Sequence, residues 1–94
     1  MTYIYFDGLT EPVNPRGIST YGYVIYKNNS AIIKEDYGLA AEPWSSSATN
    51  NVSEYTGLIC ALASAIGLGV KSAKVRGDSK LVISQMNGTY KVKS

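Results

Sequence analysis

The repeat period of the side chains changes twice along this chain, and the order of those periods restricts the fold more than any other feature. From Thr2 to Tyr37 polar and apolar residues alternate in short runs, from Val52 to Ile66 bulky apolar residues recur at spacings of three and four, and from Lys71 to Gly77 a brief alternation returns. Alternation belongs to strands, whose side chains point to opposite faces in turn, whereas a 3.6-residue repeat belongs to a helix. The expected order is therefore β-β-β-α-β. Residues 2 to 7 carry large groups on both faces, as a central strand does, with Asp7-Gly8 ending the run. The stretch from Glu11 to Gly17, with Pro12 and Pro15, is turn chemistry. Thr20 to Tyr26 then sets Tyr21, Tyr23 and Ile25 opposite Gly22, Val24 and Tyr26, and Asn28-Asn29 turns into a third strand around Ala31 to Tyr37.

Gly38 to Thr49 is small and polar and reads as a loop. In the helix that follows, Val52, Tyr55, Ile59, Leu62 and Ile66 form the expected apolar face, and Thr56, Cys60, Ala63 and Gly67 a small-residue stripe suited to lying close on a sheet. Gly67 and Gly69 end it, Lys71 to Gly77 is a fourth strand, and Asp78-Ser79 opens a second helix through Leu81, Val82 and Met86 to Asn87-Gly88. Three strands joined as a meander leave the helix to run back down the sheet. A right-handed crossover then lays the fourth strand parallel beside the first. Asp7 and Asp78 end neighbouring parallel strands at one edge of that sheet, and Glu54, expected in the first turn of the helix, starts from the same edge, where ligand sites form in such sheets.

A chain of 94 residues is expected to make one small domain. It has no His and a single cysteine, Cys60, which excludes Cys/His zinc sites, His-based triads and an internal disulfide. Any metal must be held by oxygen. Apolar runs stop well short of membrane-spanning length, and the first seven residues lack a basic region followed by an apolar signal core, so a cytoplasmic protein without a membrane partner is expected. The charge is uneven: three basic against six acidic residues up to Val70, then six basic against one acidic from Lys71 onward. That places a basic face for an anionic partner beside an acidic centre, although a solvated Lys-rich end accounts for the charge equally well.

Each carboxylate also has a structural explanation. Asp7-Gly8 is a common turn pair, Glu54 fits a capping box with Asn51, and Asp78 can cap the second helix. Three such groups at one edge repel one another unless a hard cation lies among them, and oxygen-only ligation suits Mg²⁺ or Mn²⁺. Two such ions roughly 4 Å apart activate water and stabilise the leaving oxygen of a phosphodiester.

Tyr5-Phe6-Asp7-Gly8, Thr49-Asn50-Asn51-Val52-Ser53-Glu54-Tyr55 and Gly77-Asp78-Ser79-Lys80-Leu81-Val82, in this order of elements, resemble ribonuclease H type 1 from about Tyr3 to Lys93, with the archaeal-type members similar through Gln85 to Gly88 and Tyr90 to Lys93. The resemblance implies an α/β fold with a ribonuclease H-like mixed sheet: an antiparallel three-strand meander, then a helix and a parallel fourth strand. It implies Mg²⁺-dependent cutting of the RNA strand of RNA/DNA hybrids with two ions held by four acidic residues, of which Asp7, Glu54 and Asp78 match the first three. Thr49 and Asn50 match positions that seat a DNA-strand phosphate, and helix capping explains them as well. Asn14 resembles a position that touches the hybrid's minor groove, and Ser79 and Lys80 count with the nucleic-acid contacts. The family's fourth acid lies beyond the point matching Ser94, after a further helix and a fifth strand. The expected domain, residues 1–94, thus lacks the C-terminal strand and helices, and its fourth strand is an exposed edge open to self-association. A non-catalytic nucleic-acid-binding or assembly module of the same fold is the alternative.

Overall fold

In the computed structural model, which describes residues 1–28, 31–77 and 89–91, strand β1 (Thr2–Glu11) takes the centre of the sheet. It pairs antiparallel with β2 (Ile18–Lys27), which pairs antiparallel with β3 (Ile32–Leu39). Helix α1 (Asn50–Gly67) carries the chain back, so that β4 (Ser72–Gly77) lies parallel to β1 on its other side. The mixed order β3-β2-β1-β4 is the expected one. A short strand that the sequence does not announce, β5 (Thr89–Lys91), extends it by pairing antiparallel with Ser72, Ala73 and Lys74. The fourth strand is therefore not an open edge along its first half. The expected second helix and the residues Asp78, Ser79 and Lys80 lie outside the described residues, as does Asn29.

One face of the sheet is buried because its alternate residues are apolar and meet the helix: Ile4 and Phe6 of β1, Tyr23 and Ile25 of β2, Ala73 and Val75 of β4 pack with Leu58, Ala61 and Ala65 of α1. On the other face Tyr3 and Tyr26 stack with ring centroids 5.3 Å apart. The helix buries a different stripe from the expected one. Ser53, Gly57, Leu58, Ala61 and Ala65 are buried, while Ile59 is 62% exposed and Ala63 and Gly67 face solvent. Small residues four apart let the helix axis approach the strands, and that closeness outweighs the burial of larger side chains. Tyr23 reaches across this contact, its hydroxyl 2.6 Å from Ser64 Oγ.

Both helix ends follow from local chemistry. Thr49 is the N-cap, its Oγ1 accepting from the Val52 amide at 3.1 Å. At the other end Val70 N donates to Ala65 O and Gly69 N to Ile66 O, each at 3.0 Å, with Gly69 at φ +79°. This Schellman arrangement needs a left-handed residue after the cap, and only glycine takes that conformation without cost.

Candidate functional site

Strand β1 pairs with β2 along its whole length, but with β4 only as far as Phe6 and Gly77. The pairing closes there in a definite way: a Cβ on Gly77 would collide with the Phe6 ring, so the glycine admits the aromatic side chain over the strand end. Asp7 is the next residue of β1, opposite Gly22 of β2, and Asp78 is next after Gly77 in sequence. Asp7 does not end the strand, as expected from Asp7-Gly8; β1 runs on to Glu11. Its exposed carboxylate accepts from the Gly8 amide at 2.8 Å. The turn explanation for this acid is thereby removed.

Two glycines set the helix against this point. A Cβ on Gly8 would lie 2.6 Å from the backbone N of Glu54, and one on Gly57 would lie 3.3 Å from Asp7 O and 3.4 Å from Gly22 O. Glu54 therefore starts from backbone in contact with the residue that follows Asp7, and it is half-buried. The capping-box explanation fails for it, because the cap is Thr49 rather than Asn51 and no acid lies in the first turn. Asp7 borders two shallow grooves, one of about 600 Å³ shared with Tyr5, Glu35, Asp36 and Tyr37 and one of about 280 Å³ shared with Gly8, Leu9, Thr20 and Tyr21.

Beside the carboxylates lies a cluster of amides and hydroxyls. Asn50 Oδ1 accepts from Thr10 N at 2.8 Å, and Asn14 Oδ1 accepts from Asn50 N at 3.2 Å. Thr10 Oγ1 donates to Ser19 Oγ at 3.1 Å, and Ser19 Oγ donates to Thr49 O at 3.1 Å. Backbone bonds from Arg16 N to Ala48 O and from Trp44 N to Gly17 O, both 2.9 Å, tie the β1–β2 turn to the segment that leads into the helix. Since the oxygens of Asn14 and Asn50 both accept from backbone N–H groups, their NH₂ groups are the ends left to donate to a ligand. The expected residues Asn14, Thr49 and Asn50 are thus brought together across 36 positions of sequence.

The expectations missed Ser19 and Thr10. Both lie on the buried rows of their strands, and extending the alternation Ile4, Phe6, Gly8 by one step reaches Thr10, just as stepping back from Tyr23 through Tyr21 reaches Ser19. A hydroxyl on a row that is otherwise apolar was the available signal. Tyr21 has its hydroxyl hydrogen-bonded to the Cys60 thiol and partly withdrawn from water, which holds its pKa above the ordinary tyrosine range.

Among the described residues no group of three or more His, Cys, Asp or Glu is placed to hold a metal. Asp7 is exposed at this edge and Glu54 half-buried on the adjoining helix turn; carboxylates are the hard oxygen donors that a divalent cation takes, and two of them leave further ligands or waters to complete its coordination. Also among the described residues, no helix is long and apolar enough to cross a membrane.

Residues 6–94 match the family model described as reverse transcriptase-like. The chain is 43% identical over 81 residues to the bifunctional protein Rv2228c of Mycobacterium tuberculosis, covering 85% of this chain and 21% of that one. It is 36% identical over 86 residues to ribonuclease HI of Halobacterium salinarum, covering 92% of this chain and 40% of the relative. Among solved structures, LC11-RNase H1 in complex with an RNA/DNA hybrid superposes with a TM-score of 0.76 at 36% identity, over all of this chain and 66% of the other. The chain therefore spans less than half the length of both curated relatives.

Proposed function

The chain belongs to the reverse transcriptase-like family, as a ribonuclease H of type 1, and from that premise we propose that it binds RNA/DNA hybrids and hydrolyses their RNA strand with the help of Mg²⁺ or Mn²⁺. One solved relative is held in complex with an RNA/DNA hybrid, which supports the substrate class. The observation that carries the reading is the seating of α1 on Gly8, which brings the Asp7 strand and the Glu54 turn together beside the Asn14, Thr49 and Asn50 cluster.

In this reading Asp7, Glu54 and Asp78 hold the cation, and the remaining coordination is completed by water and phosphate oxygens. When bound, a pair of such ions supplies an activated water and charge stabilisation for the leaving oxygen. The protein's own groups bind and orient. The NH₂ group of Asn14 donates to minor-groove acceptors and to 2′-hydroxyls, which separate RNA from DNA. The hydroxyl of Thr49 and the NH₂ group of Asn50, whose oxygens accept from backbone amides, donate to a phosphate of the DNA strand, with Ser79 and Lys80 assisting. Lys71, Lys74 and Arg76 add attraction that does not depend on sequence. Assayed as these 94 residues, which hold three of the family's four acids, hydrolysis is expected to be slow. Residues 1–94 are read as part of one such domain, in a cytoplasmic setting. Any self-association through β4 is confined to Val75–Gly77, since β5 covers Ser72 to Lys74.

The test is a labelled hybrid at fixed salt, challenged with DNA duplex and then with Mg²⁺. The hybrid should displace duplex DNA more effectively than the reverse, and RNA-strand products should appear slowly and stop with chelator. Equal displacement together with no metal-dependent product would refute the reading. Preferential hybrid binding without product would favour the non-catalytic module.

A further inference from the structure

Ser19 has no role in the chemistry described so far, yet it is fully buried and its hydroxyl is engaged twice, accepting from Thr10 Oγ1 and donating to Thr49 O. Thr49 O is the carbonyl of the helix cap, and it also accepts from Ser53 N at 3.0 Å. The peptide unit between Thr49 and Asn50 is planar, so fixing its oxygen fixes the direction of its N–H. That N–H is the one that donates to Asn14 Oδ1. A relay therefore runs from the sheet interior to the exposed turn: Ser19 hydroxyl, Thr49–Asn50 peptide plane, Asn14 carboxamide.

We propose that Ser19 is a positioning residue, which through the Thr49–Asn50 peptide fixes the orientation in which Asn14 presents its NH₂ group to a nucleic acid. The proposal rests on the hybrid-binding reading given above. Ser19 touches no ligand. The hydroxyl stands on the helix-facing row of β2, where Tyr23 and Ile25 are buried by packing alone or with one hydroxyl bond to the helix. Ser19 is the residue of that row that grips the cap peptide, and through it a change in the sheet interior reaches the turn at Asn14. Without the grip, the peptide retains its bond from Ser53 but gains freedom to rock about the helix start, and Asn14 loses a fixed partner.

The test measures hybrid affinity at fixed salt for the wild type, Ser19→Ala, Asn14→Ala and the double variant, with Tyr23→Phe as a comparison that loses a buried hydroxyl bond away from the turn. Ser19→Ala should weaken hybrid binding by about fivefold, the factor associated with one buried hydrogen bond. In the Asn14→Ala background the same change should cost less than about twofold, because the relay has lost its end point. Tyr23→Phe should lower the melting temperature as Ser19→Ala does, each losing a buried hydroxyl bond, while leaving hybrid affinity within about twofold. Additive losses in the double variant, an unchanged affinity for folded Ser19→Ala, or an equal loss in Tyr23→Phe would overturn the role. Should Ser19→Ala not fold, Ser19→Cys keeps the side-chain shape at a slightly larger size with a weaker donor, and it must show the same coupling to Asn14→Ala or the role is refuted. Failure of the wild type to bind hybrid would overturn the proposed function itself, whereas hybrid binding that depends on Asn14 but not on Ser19 would overturn this inference alone.

Discussion

Replacing Gly8 by alanine would place a methyl group where the helix start now lies. The new Cβ would fall 2.6 Å from the Glu54 backbone N, inside the ~3.5 Å at which carbon packs without repulsion, and the obstructing atoms include backbone of Ser53 and Glu54 that cannot rotate away. The first turns of α1 must retreat by about 1 Å. Gly8 is not among the positive-φ glycines, so the steric clash is the only penalty in the folded state. Overpacking of this kind costs ~1–3 kcal/mol, and the reduced freedom of the unfolded chain returns ~0.4–1 kcal/mol. The net loss is ~1–2 kcal/mol, which in a domain of this size lowers the melting temperature by about 5–15 °C. Because the retreat also withdraws Glu54 from Asp7, divalent-metal affinity should fall in the same variant. Thermal unfolding by circular dichroism and a Mn²⁺ titration followed by NMR read the two effects, with Gly67→Ala as the comparison, since nothing lies within 4 Å of a Cβ there. A Gly8→Ala protein as stable as Gly67→Ala, with unchanged metal affinity, would refute the close-approach argument.

Three further outcomes are expected. Tyr21 should titrate above the ordinary tyrosine range; a raised folded-state pKa stabilises the fold below the unfolded value of 10.0, and that stability is lost as pH climbs through the folded value. Ultraviolet titration should assign the late ionisation to Tyr21 by its loss in Tyr21→Phe, and Cys60→Ala should bring it down. Thr49→Ala removes the acceptor for the Val52 amide and should cost ~1 kcal/mol in chemical denaturation. Hybrid affinity should fall linearly on a log–log plot against salt, and Lys74→Ala should reduce the slope by about 0.9 if that side chain neutralises one phosphate.

The order of strands and the parallel placement of β4 were legible because alternation and helical spacing leave one right-handed way to connect the elements. The register of detail was less so. Asp7-Gly8 carries a strong turn signal, yet pairing of Gly8 through Glu11 with Ile18 to Tyr21 keeps the strand going, a tertiary effect that local chemistry does not announce. Thr49, Asn50 and Asn51 are all able to cap a helix, and the choice of Thr49 coincides with Asn50 Oδ1 being taken by the Thr10 amide, 40 positions away. The buried stripe of α1 differs from the expected one because hydrophobicity favours Ile59 and Ile66, whereas close packing on β1 and β2 favours Ser53, Gly57 and Ala61. At the site, the nearness of Glu54 to the Asp7 strand followed from topology, while Asn14 and Asn50 were marked by the family resemblance alone and their contact, like the hydroxyl relay through Ser19, depends on side-chain geometry.

The central claim is that Asp7 and Glu54, with Asp78, form one oxygen-ligand site for a divalent cation. An NMR titration of the 94-residue chain with Mg²⁺, compared with Asp7→Asn, tests it most directly. Amide shifts should appear at Asp7, Gly8, Glu54 and Asp78 in the wild type, saturate weakly, and disappear in Asp7→Asn, which should remain folded. Shifts confined to Glu35, Asp36 and Glu42, or shifts at Gly8 and Glu54 that persist undiminished in Asp7→Asn, would contradict it.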